Sequence, residues 1–199
     1  MSNSGVFDVN DIRYLMDYQQ WSGVGTLELI QTQSISSDVD TVDFTNIKED
    51  EYNVHFLTVN NLLPATDSQP TLLRFSNDGG SSFEAGTNYE YAFQNGGYGS
   101  STFEEHKSTG TSGINLTNNT GNATNETINL YCYIYNANDS SKYTFATYQG
   151  VWIFATGEMV MNFGSGVYDT AEVINAYQVL IGSGNITQGD ISLYGIRYS

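Results

Sequence analysis

The chain has one cysteine, two prolines, two histidines and only six lysines and arginines among 199 residues. A lone Cys132 excludes an intrachain disulfide, and with it a disulfide-stapled secreted scaffold. The basic residues Arg13, Lys48, Arg74, Lys107, Lys142 and Arg197 are scattered singly. They form no patch that could displace counterions from phosphates, which argues against nucleic acid. The formal net charge of −16 argues equally against an anionic membrane. The longest apolar stretch, Val151-Trp152-Ile153-Phe154-Ala155, is far too short to span a bilayer. No basic n-region followed by an apolar h-region stands at the N-terminus, so no signal peptide is expected and synthesis is placed in the cytoplasm.

Catalytic patterns are missing as well. There is no G-x-S-x-G elbow, P-loop or H-E-x-x-H, and acidic residues are too dispersed to single out a glycosidase dyad. His55 falls inside a strand-like run. Glu104-Glu105-His106-Lys107 reads as a charged loop whose ligands are adjacent rather than at zinc-site spacing. Cys132 sits among alternating apolar positions and reads as a small buried hydrophobe with no activating partner. These absences predict a protein that is not an enzyme and holds no cofactor; no metal ligand is assigned, and with no EF-hand spacing present the loops over 38–43 and 67–68 leave only calcium open.

What is abundant is Tyr (15), Phe (10) and Gly (20), a composition suited to pleated surfaces and tight turns. From Thr26 onward short alternating runs are separated by turn signals. The clearest is 127–135, where Ile128, Leu130, Cys132 and Ile134 share one face and Tyr131, Tyr133 and Tyr135 the other. Tyr89, Tyr91 and Phe93 alternate too. A long strand over 143–154 is expected to break or bend near Gly150, and a turn is expected at 63–67. About nine or ten strands, with no helical run between them, predict an all-β fold. It is an antiparallel, jelly-roll-like β-sandwich over 26–199, preceded by a short helical or extended attachment segment over 1–25. In that segment Ile12, Leu15, Tyr14, Tyr18 and Trp21 form apolar and aromatic stripes ahead of Gly23 and Gly25, which suit either packing on the sandwich or docking to another protein.

Two stretches, 94–102 around Tyr98 and 107–126, read as long loops suited to a contact surface. The tyrosine face Tyr131, Tyr133, Tyr135 suits three roles: a subunit contact, a platform for sugar rings, or a second buried layer. Ser76-Asn77-Asp78-Gly79-Gly80-Ser81-Ser82-Phe83 is similar to an Asp-box, the hairpin of sialidase propellers and of many unrelated β-proteins. In this turn, which opens at Ser76, Asp78 would accept hydrogen bonds from turn amides, Gly79 and Gly80 would permit positive φ and Phe83 would pin the turn to the sheet. Its role is structural rather than catalytic.

Several of these stretches together carry a resemblance. Thr26-Leu27-Glu28-Leu29-Ile30-Gln31-Thr32-Gln33, Val42-Asp43-Phe44-Thr45, Leu63-Pro64-Ala65-Thr66-Asp67, the run from Leu73 through the Asp-box, and the run from Ser183-Gly184-Asn185-Ile186 to Leu193-Tyr194-Gly195 resemble a family of small virion proteins of tailed phages, especially phages of marine cyanobacteria. The likeness covers 26–199, and Phe7 to Leu15 looks like the attachment segment of such proteins. The resemblance implies a decoration or fibre component of the particle, made in the bacterial host cytoplasm. It would contact other virion proteins and form a homo-oligomer, a trimer above all. It also leaves room for a fibre-tip module that binds a host surface glycan. The family brings no catalytic residue.

Overall fold

Alternating apolar and polar residues, punctuated by Gly, Asn and Asp, drive the chain into antiparallel strands. The computed structural model describes residues 27–99 and 101–196, which hold twelve strands and no helix. In chain order these are β1 (Leu27–Ile35), β2 (Thr41–Phe44), β3 (Val54–Pro64), β4 (Thr71–Ser76), β5 (Tyr89–Gly97), β6 (Glu104–Thr111), β7 (Ile114–Asn115), β8 (Ile128–Tyr135), β9 (Thr144–Ile153), β10 (Met159–Tyr168), β11 (Ala176–Ile181) and β12 (Ile186–Ile196). The attachment segment with Ile12, Tyr14, Leu15, Tyr18 and Trp21 lies outside the described residues.

Two antiparallel sheets pack as a sandwich. The larger runs β1-β12-β3-β8-β9-β10-β5-β6 and the smaller β2-β11-β4-β7. From β1 to β5 the chain changes sheet at every connection, whereas β8, β9 and β10 form a meander. Between the sheets lie Leu57, Val59, Cys132, Ile134, Trp152 and Tyr148 from the larger, and Phe44, Leu73, Phe75, Tyr177 and Val179 from the smaller. Burial pushes the Cys132 thiol up, which keeps it protonated and inert.

The buried aromatics bring polar tips that need partners. Trp152 Nε1 donates to the Asn118 carbonyl at 2.9 Å. Tyr148 Oη donates to the Asn115 carbonyl at 2.7 Å, and Asn162 Nδ2 to the Leu116 carbonyl at 2.8 Å. All three donors come from β9 and β10. Together they hold 115–118 inside the sandwich, where Leu116, Thr117 and Thr120 are buried. The stretch 107–126 is therefore not a contact loop. Its first part is the edge strand β6 and its middle closes the core. Strand β6 was hidden because an edge strand can be polar on both faces. The residues Glu104 to Lys107 accordingly lie in a strand, not a loop.

Other boundaries also differ from expectation. β3 continues to Pro64 through an irregularity between Val59 and Leu62, so the turn begins later than 63. β5 continues to Gly97, which shortens the loop around Tyr98. β9 runs unbroken through Gly150. There a Cβ would meet Leu130 Cβ at 2.8 Å, so this glycine serves close packing rather than a bend.

β10 is the strand that the sequence pattern conceals. Its Gly164-Ser165-Gly166 resembles a turn, but Gly164 and Gly166 face the core and make room for their neighbours. A Cβ on Gly164 would run into Phe93 Cβ and lie 2.9 Å from the Tyr148 ring. Gly164→Val is expected to cost about 2 kcal/mol of stability through overpacking, read as a lower urea midpoint at unchanged slope.

Candidate functional site

The outer face of the larger sheet is set by register. One row across it reads Leu29, Tyr194, Phe56, Tyr133, Thr147, Ser165, Ala92, Lys107. The next reads Ser192, Thr58, Tyr131, Gln149, Phe163, Gln94, Glu105. In the first row large rings crowd β12, β3 and β8, whereas the small Thr147, Ser165 and Ala92 follow on β9, β10 and β5. The face is thus a ridge beside a trough.

Aromatic packing builds the ridge. The Phe56 ring lies 4.7 Å from that of Tyr133, 5.9 Å from Tyr131 and 6.1 Å from Tyr194, all tilted. Hydrogen bonds pin two of its tyrosines toward β9. Tyr131 Oη donates to Gln149 Oε1 at 2.7 Å, and Tyr135 Oη shares a hydrogen bond with Thr147 Oγ1 at 3.1 Å. The trough has two lobes, of about 760 and 700 Å³, that share Ala92, Thr147 and Ser165 as their floor. Tyr131, Tyr133 and Tyr135 wall one lobe together with Phe163, and Phe145 and Val167 wall the other.

Charge is nearly missing from this face. The adjacent strands β3, β8, β9 and β10 contain no Asp, Glu, Lys or Arg, although the chain carries 22 acidic residues. At the far side the Lys107 ammonium is paired with the Glu105 carboxylate. Phe163 is 47% exposed, Phe145 44% and Tyr131 39%. Glu90, Glu105 and Lys107 line only the β5 and β6 side of the trough, and large apolar groups exposed together with charge confined to the rim mark an interaction surface.

Tyr131, Tyr133 and Tyr135 therefore stand on one outer face and are not a second buried layer. Tyr148 points the other way, into the core. Tyr98 is 74% exposed but sits after β5, away from the residues lining the trough. The small trough residues Ala92, Thr147 and Ser165 had no signal in the sequence, because each gains meaning only from its neighbours across strands.

The Asp-box turn is built as its residues imply. Ser76 Oγ donates to Asp78 Oδ1 at 2.7 Å and accepts the Gly80 amide at 3.0 Å. Ser82 donates its amide to Asp78 Oδ1 at 2.9 Å and its hydroxyl to Oδ2 at 2.7 Å. Gly80 has φ +83°, and a Cβ there would meet Thr45 Cγ2 at 2.6 Å. Phe83 is half-buried. The Ser82 amide, then its hydroxyl and that of Ser76, lower the Asp78 pKa to about 2. A depressed carboxylate stabilises above its unfolded value of 3.8 and loses that contribution as pH falls toward 2. The Ser82 amide resonance is thus expected to titrate near pH 2 in NMR, and Asp78→Ala to abolish that titration.

No cation is presented freely by the described residues. Lys48 pairs with Glu51 at 3.9 Å, Lys142 pairs with Asp139, and Arg74 Nε donates to the Ser112 carbonyl at 2.7 Å. Among the described residues no group of three or more His, Cys, Asp or Glu could hold a metal ion, and no helix is long and apolar enough to cross a membrane.

No family model, curated protein or solved structure matches the chain.

Proposed function

We propose that this protein is a non-enzymatic structural part of a tailed-phage particle, a decoration or fibre component that works through protein contacts made by the outer face of its larger sheet. The observation that carries this reading is the aromatic ridge and trough whose four central strands, β3, β8, β9 and β10, carry no charge on a strongly acidic chain. Contact surfaces lose charge at their centre and gain Tyr and Phe. The particle enters through the resemblance of 26–199 to small virion proteins, which is an argument from motifs. In this reading residues 1–25, with Ile12, Tyr14, Leu15, Tyr18 and Trp21, attach the domain to the particle, while the sheet face braces it against a neighbour.

Antibody labelling of purified particles, imaged by electron microscopy, tests the placement. Label on capsid, tail or fibre supports it, and particles without label refute it. Deleting 1–25 is expected to leave a folded domain that no longer joins particles. Normal incorporation of the shortened chain would remove the attachment role.

One feature favours a second reading, a host-glycan module. Tyr131 and Tyr135 are held by hydrogen bonds beside the Gln149 and Gln94 amides, and fixed rings next to amides suit sugar rings and hydroxyls. Binding of a host surface glycan on an array, lost in Tyr133→Ala, would favour it over the protein contact.

A further inference from the structure

We infer that the partner covering this face is a second copy of the same chain, paired face to face about a two-fold axis that runs along β9. The inference rests on the reading of the face as a contact surface and names its occupant.

Register carries it. A two-fold axis parallel to the strands and above β9 sets β8 against β10 of the other copy, β3 against β5, and β12 against β6. Residues in one row then meet residues of the same row in reverse order. Tyr133 comes opposite Ser165, Phe56 opposite Ala92, and Tyr194 opposite Lys107. Every large ring faces a small side chain, except the last, which faces an ammonium able to make a cation–π contact. In the neighbouring row Tyr131 meets Phe163, Thr58 meets Gln94, Ser192 meets Glu105, and Gln149 meets its own copy. Aromatic faces aromatic and polar faces polar. In the first row the ridge of each copy thereby fills the trough of the other, and in the second two rings stack across the axis; both are the self-complementarity an isologous interface requires.

Area and charge agree. The seven strands from β12 to β6 that pair across the axis, spaced ~4.8 Å apart with ~8 residues each rising ~3.4 Å, give a face of roughly 900 Å². A stable interface needs about 800 Å² per partner. Two copies of a chain with net charge −16 should repel each other, but the strands nearest this axis carry no carboxylate. Aligned sheets pack with strands within about 30° of each other, so both rows stay engaged near the axis. A two-fold pair differs from the trimer implied by the resemblance.

The test uses sedimentation velocity and cross-linking on the full chain. Wild-type protein is expected to sediment as a dimer. Ser165→Glu places an unpaired carboxylate under Tyr133 and is expected to raise the dimer dissociation constant by about 100-fold or more. Because Ser165 points to solvent in the single chain, the variant should keep the wild-type circular dichroism spectrum and unfold cooperatively with a midpoint that no longer depends on protein concentration, which separates lost pairing from lost folding. Thr147→Cys lies on the axis and should link to its own copy through a short bis-maleimide, whereas Lys107→Cys, three strands away, should not. Monomeric wild type, a trimer, a dimer indifferent to Ser165→Glu, or equal cross-linking at 107 and 147 would each overturn the inference. If the protein is monomeric in solution while Ser165→Glu still keeps it off particles, the contact-surface reading stands and only its occupant is wrong. If the dimer forms as described but Ser165→Glu joins particles normally, the pairing stands and the contact has no role on the particle.

Discussion

Trp152→Ala is expected to remove about 4–5 kcal/mol of stability, near the upper end for loss of a large buried side chain. The indole is 1% exposed and packs edge-on to Phe154 at 6.0 Å between centroids. Its truncation opens a cavity between the sheets and also strands the Asn118 carbonyl, which the indole N–H reaches at 2.9 Å. Losing that donor alone costs about 1–3 kcal/mol for a buried acceptor. Trp152→Phe keeps most of the volume and should show only this smaller part. The two variants together, compared by urea unfolding, separate cavity from hydrogen bond. A loss under about 2 kcal/mol for the alanine variant would mean that residues 115–118 do not depend on β9 for their place in the core.

Acid is expected to weaken the fold between pH 6.5 and about 4 through His55. This imidazole is wholly buried in β3. Nε2 lies 2.8 Å from the Ile47 carbonyl and Nδ1 lies 2.9 Å from Tyr177 Oη. A carbonyl only accepts, so Nε2 carries the proton and Nδ1 accepts from the tyrosine hydroxyl. The neutral ring is satisfied at both nitrogens and ties the larger sheet to β11 of the smaller. Burial lowers its pKa from 6.5 to about 4, against the opposing pull of the Ile47 carbonyl. A histidine held neutral contributes stability above its unfolded value, and the contribution fades as pH drops through the folded value. The whole shift corresponds to roughly 3 kcal/mol. His55→Phe should be less stable at neutral pH, because Tyr177 Oη and the Ile47 carbonyl lose their partner. Its stability should nevertheless fall less steeply from pH 6.5 to 4, by the equivalent of one proton. Equal slopes in the two proteins would show that His55 is protonated as easily in the fold as outside it.

The sandwich was legible because β8 and the first half of β5 alternate without interruption. Tyr131, Tyr133 and Tyr135 were placed on one face by the same period of two. β10 was not legible, because glycines that admit Phe93 and Tyr148 look like turn residues until the neighbouring strands are known. β6 was missed for the opposite reason: an edge strand needs little apolar patterning, and charges on it discourage stray pairing. The trough lay beyond reach of a single sequence, since Ala92, Thr147 and Ser165 come from three strands whose adjacency is a property of the sheet. The long polar stretch 107–126 misled because its Thr, Asn and Gly suit a mobile loop. Its place in the core depends on donors from Trp152, Tyr148 and Asn162, which only the packed structure brings to it.

In the proposed reading the outer face of the larger sheet is covered on a phage particle. Tyr131 and Tyr143 are similarly exposed in the single chain, 39% and 46%, but only Tyr131 lies in the trough wall. Modification of tyrosines in purified particles by a small water-borne reagent, followed by peptide mass spectrometry, compares the two directly. In that reading Tyr143 is labelled while Tyr131, Tyr133 and Tyr135 are protected. Labelling of Tyr131 to the same extent as Tyr143 would show that the face is open to water on the particle and would contradict it.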